Sequence, residues 1–162
     1  MHLLVRLFTL LALLQPVAAA ADSTGLPLPR FVSLRSEEVN LRTGPGERYP
    51  VAWVYTRRHL PVEVVAEFDT WRKIRDWTGT EGWVHQSLLS GQRTALVVGQ
   101  TRALRASADD RSTILALVEP GVIGRLSQCP LGTVYCRVDL GGLRGWLRRD
   151  EIWGLYENEA VD

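Results

Sequence analysis

The side chains able to do chemistry are few, and their spacing argues against a catalytic centre. The histidines are His2, His59 and His85, and the cysteines are Cys129 and Cys136. His85 with Ser87 or Asp76 would supply a base beside a nucleophile or an orienting acid, but no G-x-S-x-G turn is present to expose a serine. No H-E-x-x-H run presents paired imidazoles on one helix face. Two thiols without a neighbouring histidine or third cysteine make half a metal site, and their separation is not the C-x-x-C of a redox pair. The carboxylate pairs Glu37-Glu38 and Asp109-Asp110 fall in loops, where solvation is a simpler fate than a glycosidase pair. The expectation is a non-enzymatic chain with no cofactor and no metal.

The cysteines have another use. Cys129 and Cys136 flank Pro130-Leu131-Gly132-Thr133, a run with turn chemistry, so in an oxidising compartment they are expected to close a disulfide across a hairpin. A ring this short is worth about 2 to 3 kcal/mol by loop entropy. The N-terminus points to such a compartment. Arg6, the apolar run Leu7 to Leu14 and the small residues Ala18 to Ala21 have the pattern of a cleaved secretory signal over residues 1–21. The apolar run is too short to span a bilayer, so no integral membrane segment is expected after cleavage. An uncleaved anchor is the alternative.

Charge excludes one class of partner. Lys and Arg total 19 and Asp and Glu total 18, and loss of Arg6 with the signal would balance them. No net field then draws the chain to nucleic acid or anionic lipid. Apart from Lys73 the basic residues are arginines, interspersed with acids as on a solvated surface.

The elements that would position any site come in two copies. Val39-Asn40-Leu41-Arg42, Pro50-Val51, Gly82-Trp83-Val84 and Leu89 return as Arg102-Ala103-Leu104-Arg105, Thr113-Ile114, Gly145-Trp146-Leu147 and Ile152. A period of about sixty residues suits one small barrel per copy and is too long for a solenoid. In the first copy the sequence predicts strands over 39–42, 51–55, 62–68, 71–77 and 82–84, separated by Thr43-Gly44-Pro45-Gly46, Asp69-Thr70 and Thr78-Gly79-Thr80. In the second it predicts strands over 96–98, 102–105, 114–118, 122–128, 134–140 and 145–147. Helix is confined to single turns after Trp83 and Trp146. The domain reading is a signal over 1–21, an extended, mobile leader over 22–30, a first barrel over 31–91, a second over 95–155, and an acidic tail over 156–162 with little to bury. The short linker implies barrels that touch.

The order Val39-Asn40-Leu41-Arg42, Gly44-Pro45-Gly46, Trp71-Arg72-Lys73-Ile74, Gly82-Trp83-Val84 and Leu88-Leu89 resembles the bacterial Src-homology-3-like (SH3-like) domains of exported and cell-envelope proteins. The resemblance covers nearly all of residues 33 to 91. The second copy is a degenerate version, with Ser107-Ala108-Asp109 in place of the Gly-Pro-Gly loop. The fold class implied is all-β, two tandem small SH3-like barrels. Such domains often accompany a cysteine peptidase, for which this chain has no room.

The family's groove is typically floored by an aromatic at the start of the strand holding Trp71 and flanked by the long loop carrying Thr43 to Pro50. The resemblance therefore implies a ligand groove drawn from Tyr49, Trp71, Asp69, Glu47 and Trp53. Strand parity is consistent with this: if Ile74 points inward, Arg72 joins it and Trp71 faces out. Structural readings compete. Trp71 also fits inter-domain packing, Trp53 fits surface or inter-domain contact, Trp77 and Trp153 fit edge or interface packing, and Trp83 and Trp146 are expected in the cores. In the second copy Tyr135, after one slipped residue, replaces Trp71, and Ser112 replaces Tyr49. The implied role is an exported binding module, periplasmic or secreted, that recognises peptidoglycan or its stem peptide. The alternative is an envelope scaffold that binds a partner's peptide.

Overall fold

The computed structural model describes residues 24–162; the signal reading lies outside them. The described chain is all β apart from two single 3-10 turns. The strands are β1 Arg30–Leu34, β2 Val39–Arg42, β3 Val51–Tyr55, β4 Pro61–Phe68, β5 Trp71–Arg75, β6 Glu81–His85, β7 Leu89–Ser90, β8 Thr94–Val97, β9 Arg102–Arg105, β10 Ile114–Val118, β11 Ile123–Gln128, β12 Tyr135–Leu140, β13 Leu143–Arg148 and β14 Ile152–Trp153. They form two seven-stranded sheets, ordered β3-β2-β6-β5-β4-β1-β7 and β10-β9-β13-β12-β11-β8-β14. The second order is the first with every strand advanced by one repeat. The 3-10 turns Gln86–Leu88 and Arg149–Glu151 fall after Trp83 and Trp146.

Alternation along the strands builds two aliphatic interiors. Leu34, Val39, Leu41, Leu60, Val62, Val64, Ile74 and Val84 fill the first. Leu104, Val118, Leu126, Val138, Leu147 and Ile152 fill the second, with Cys129 and Cys136 joined in a disulfide beside them. Neither interior is built on a tryptophan. Trp83 and Trp146, expected in the cores, are half-buried on the outward side, because Gly82 and Gly145 occupy the inward positions with Val84 and Leu147. A Cβ on Gly82 would lie 2.5 Å from Leu41 Cγ, and one on Gly145 would lie 2.6 Å from Leu104 Cγ. Each glycine is a site where a leucine fills the space that a side chain would need.

Other departures from the sequence reading have local causes. The expected strand 71–77 ends at Arg75 because the Asp76 carboxylate accepts the N–H groups of Thr78 and Thr80, closing a turn. Strands β1, β7 and β14 are additional to the strands the sequence predicts; β1 pairs with β4 on one side and β7 on the other. The leader is not free along its length, since Thr24 and Arg30 both bond the Glu67 carboxylate. The terminal segment also packs. Val161 exchanges backbone hydrogen bonds with Cys129 and is 7% exposed, and Glu159 pairs with Arg93.

The barrels share a seam. Every residue of β8 is buried, with Ala95 and Val97 in the second interior and Leu96 in the first. Across the seam Phe31 meets Trp153 edge-on with centroids 5.1 Å apart, and the Tyr156 hydroxyl donates to Glu63 at 2.8 Å.

Candidate functional site

The outward face of the first sheet carries a strip of aromatic rings. Register sets it: Phe68 lies opposite Trp71, Trp71 opposite His85, and in the next outward row Lys73 lies opposite Trp83, which lies opposite Arg42. Arg72 and Ile74 point inward, and Trp71 is half-buried with its ring edge-on to His85, centroids 5.5 Å apart. Phe68 is 49% exposed. The two-residue turn Asp69-Thr70 forces Phe68 and Trp71 into register, with Asp69 in a left-handed conformation, φ 49°. The buried Arg72 guanidinium donates to the Asp69 carbonyl, which leaves the Asp69 carboxylate at the exposed end of the strip.

The opposite end of the strip is charged. Arg42 donates to the carbonyls of Glu47 and Tyr49, at 3.0 and 2.8 Å, and so ties the β2–β3 loop to the row containing Trp83. The Tyr49 ring lies over Gly44, where a Cβ would stand 2.4 Å from it. Arg48 also lies over that ring, 5.1 Å from its centroid. Lys73 and Arg75 both reach the Glu81 carboxylate at 2.7 Å, holding it below the usual carboxylate range through those hydrogen bonds.

Of the five residues the sequence proposed, Trp71 and Asp69 lie together at one end of the strip. Glu47 and Tyr49 stand in the loop at its other side, and Trp53 stands apart. Trp53 is 58% exposed on the edge strand β3, in register with the inward-facing Leu41. Phe68, His85 and Trp83 are the strip residues missing from that set. Parity about the Asp69-Thr70 turn carries the signal for Phe68, since the partner of an outward Trp71 must itself face outward.

The second copy repeats the framework and closes the platform. Arg105 donates to the Ser112 carbonyl as Arg42 does to that of Tyr49. Tyr135 lies opposite Arg148 as Trp71 lies opposite His85. The Tyr135 ring is buried, however, with its hydroxyl donating to Asp110 and Arg148 above it.

Among the described residues no group of three His, Cys, Asp or Glu is placed to hold a metal. His85 Nδ1 lies 2.7 Å from Ser87 Oγ and accepts the Ser87 N–H, which makes the pair the N-cap of its 3-10 turn. Asp76 is engaged elsewhere, by Tyr55, Thr78 and Thr80.

A family model described as bacterial SH3 domain matches residues 35–91 and again 98–154. Among solved structures, NlpC1 of Trichomonas vaginalis is 11% identical with a TM-score of 0.36, covering 85% of this chain and 50% of that one. NlpC2 of the same organism is 12% identical with a TM-score of 0.35, covering 77% of this chain and 48% of that one. The chain thus spans about half the length of either structure. No curated protein matches it.

Proposed function

The chain belongs to the bacterial SH3 domain family, with both barrels matched, and from that premise we propose that it is an exported, non-enzymatic binding module of the bacterial cell envelope whose first barrel recognises peptidoglycan or its stem peptide. The observation that carries this reading is the strip Phe68–Trp71–His85, continued by Trp83, on the outward face of the first sheet, with Phe68 exposed and the other three half-buried. Flat rings offer contact area to a sugar or peptide backbone at little conformational cost, and a rim of charges fixes orientation. Asp69 accepts from ligand amides or amines at one end, and Glu47 does so beside Tyr49. The disulfide suits an oxidising compartment, periplasmic or extracellular.

The test is retention on purified sacculi. A Trp71→Ala chain with unchanged circular dichroism is expected to elute where the parent is held; equal retention of the two removes the site.

A scaffold reading is favoured by a different observation. Strand β3 is a sheet edge whose Val51, Trp53 and Val54 are all exposed. An apolar edge of this kind is a template for an added strand from a partner. Pull-downs before and after digestion of the wall separate the two readings: capture that survives digestion and is abolished by Val54→Pro belongs to the edge.

A further inference from the structure

A second concave surface lies away from the aromatic strip. It is a cleft of about 680 Å³ at the seam, where Arg57, Arg58 and His59 of the first barrel face Arg125 and Asp139 of the second across Thr94. Its lining is net positive, three arginines against one acid. Among the described residues none of Arg57, Arg58 or Arg125 forms an ion pair with a carboxylate. The one acid in the lining, Asp139, accepts the Gly142 N–H at 2.7 Å and Arg144 Nε at 3.0 Å. Those two contacts, with the charges of Arg144 and of its cross-strand neighbour Arg125, hold its carboxyl below the usual range.

The cleft is also built rather than incidental. Arg57 bridges the barrels by donating to the Gly121 carbonyl. His59 is held in a left-handed conformation, φ 65°, by its N–H bonded to the Leu34 carbonyl at 2.9 Å and its own carbonyl accepting from the Thr94 hydroxyl at 2.7 Å. A non-glycine residue in that region is strained, and here the surrounding bonds over-determine it. The ring so positioned has its Nδ1 buried with no partner among the described residues.

Three arginines against one carboxylate leave the lining of the concavity with a net positive charge, which attracts an anion. Their planar forks match phosphate and carboxylate oxygens pairwise. We propose that the inter-barrel cleft is a binding site for an oxyanion, phosphate or carboxylate. This site is separate from the aromatic strip, and its occupancy does not depend on peptidoglycan recognition.

The test titrates the full chain by calorimetry at low ionic strength with two probes, inorganic tripolyphosphate and a tetraglutamate peptide. Binding of at least one is expected, and whichever binds identifies the source of the oxyanion. Arg58→Gln and Arg125→Gln, which remove side chains with no hydrogen-bond partner among the described residues, are each expected to weaken it by about tenfold or more. Arg111→Gln, an exposed arginine outside the cleft, is expected to leave it unchanged. The proposal is overturned if neither probe binds, or if Arg111→Gln weakens binding as much as the cleft substitutions do.

Discussion

Leu96 and Val97 are consecutive in β8, yet Leu96 lies in the first hydrophobic interior and Val97 in the second. A strand buried on both faces makes each barrel part of the other's packing. Leu96 is 1% exposed, so Leu96→Ala is expected to cost about 2 to 5 kcal/mol. It is also expected to do so in one cooperative unfolding transition, because the first barrel cannot keep its core while β8 leaves. Scanning calorimetry checks both points; two resolved transitions, with only the later one moved, would contradict the shared strand.

The duplicated glycines give a matched pair of tests. Besides meeting the leucine, a Cβ on Gly82 would lie 2.9 Å from the Arg42 carbonyl oxygen, and one on Gly145 would lie 2.8 Å from that of Arg105. Backbone cannot yield as a side-chain tip can, so Gly82→Ala and Gly145→Ala are each expected to destabilise by about 1 to 3 kcal/mol. Denaturant midpoints for the two variants should shift by similar amounts. A neutral result at either position would mean that the leucine and the strand beneath it relax freely.

These glycines also show where the sequence was legible. Leu41 and Leu104, Gly82 and Gly145, and Trp83 and Trp146 recur at one offset, which is enough to infer two barrels of the same build. The parity of Trp71-Arg72-Lys73-Ile74 placed Arg72 inside and Trp71 outside, as observed. Trp83 departs from its expected place because parity overrides ring size: Val84 is the inward residue, and Gly82 shares its side. The role of Val161 was not legible at all, since its pairing with Cys129 joins segments far apart in sequence and has no local pattern. The seam was hidden for a related reason. The run Thr94-Ala95-Leu96-Val97 has no polar alternation, and nothing local says which face belongs to which barrel.

Acid should loosen the leader before the barrels fail. Burial alone would raise the Glu67 carboxyl, but hydrogen bonds from the Thr24 N–H and hydroxyl and from Arg30, with the charge of Arg30, bring it from an ordinary 4.5 down to about 2. A carboxylate whose folded pKa is depressed contributes its full stability above the unfolded value. That contribution is lost as pH falls through the folded one, here between about pH 4.5 and 2. The melting temperature is therefore expected to fall across that window in the parent chain. In Glu67→Gln it should start lower at pH 7 and decline less steeply, and parallel declines would assign the acid sensitivity to other groups.

The disulfide Cys129–Cys136 closes a ring whose two cysteines are fully buried, and Cys129 also carries the backbone pairing to Val161. Replacing both cysteines by alanine removes the cross-link from the unfolded chain, at a cost of about 2 to 3 kcal/mol. The packing of residues 156–162 depends on the same strand end, so hydrogen exchange at Cys129 and Val161 should accelerate more than exchange in β5 and β6. Because the aromatic strip is built entirely on the first sheet, the double variant is expected to keep its retention on sacculi at temperatures where it remains folded. Retention that falls in step with the second barrel's stability would instead mean that the seam transmits order to Trp71, and would place part of the binding surface in the second copy.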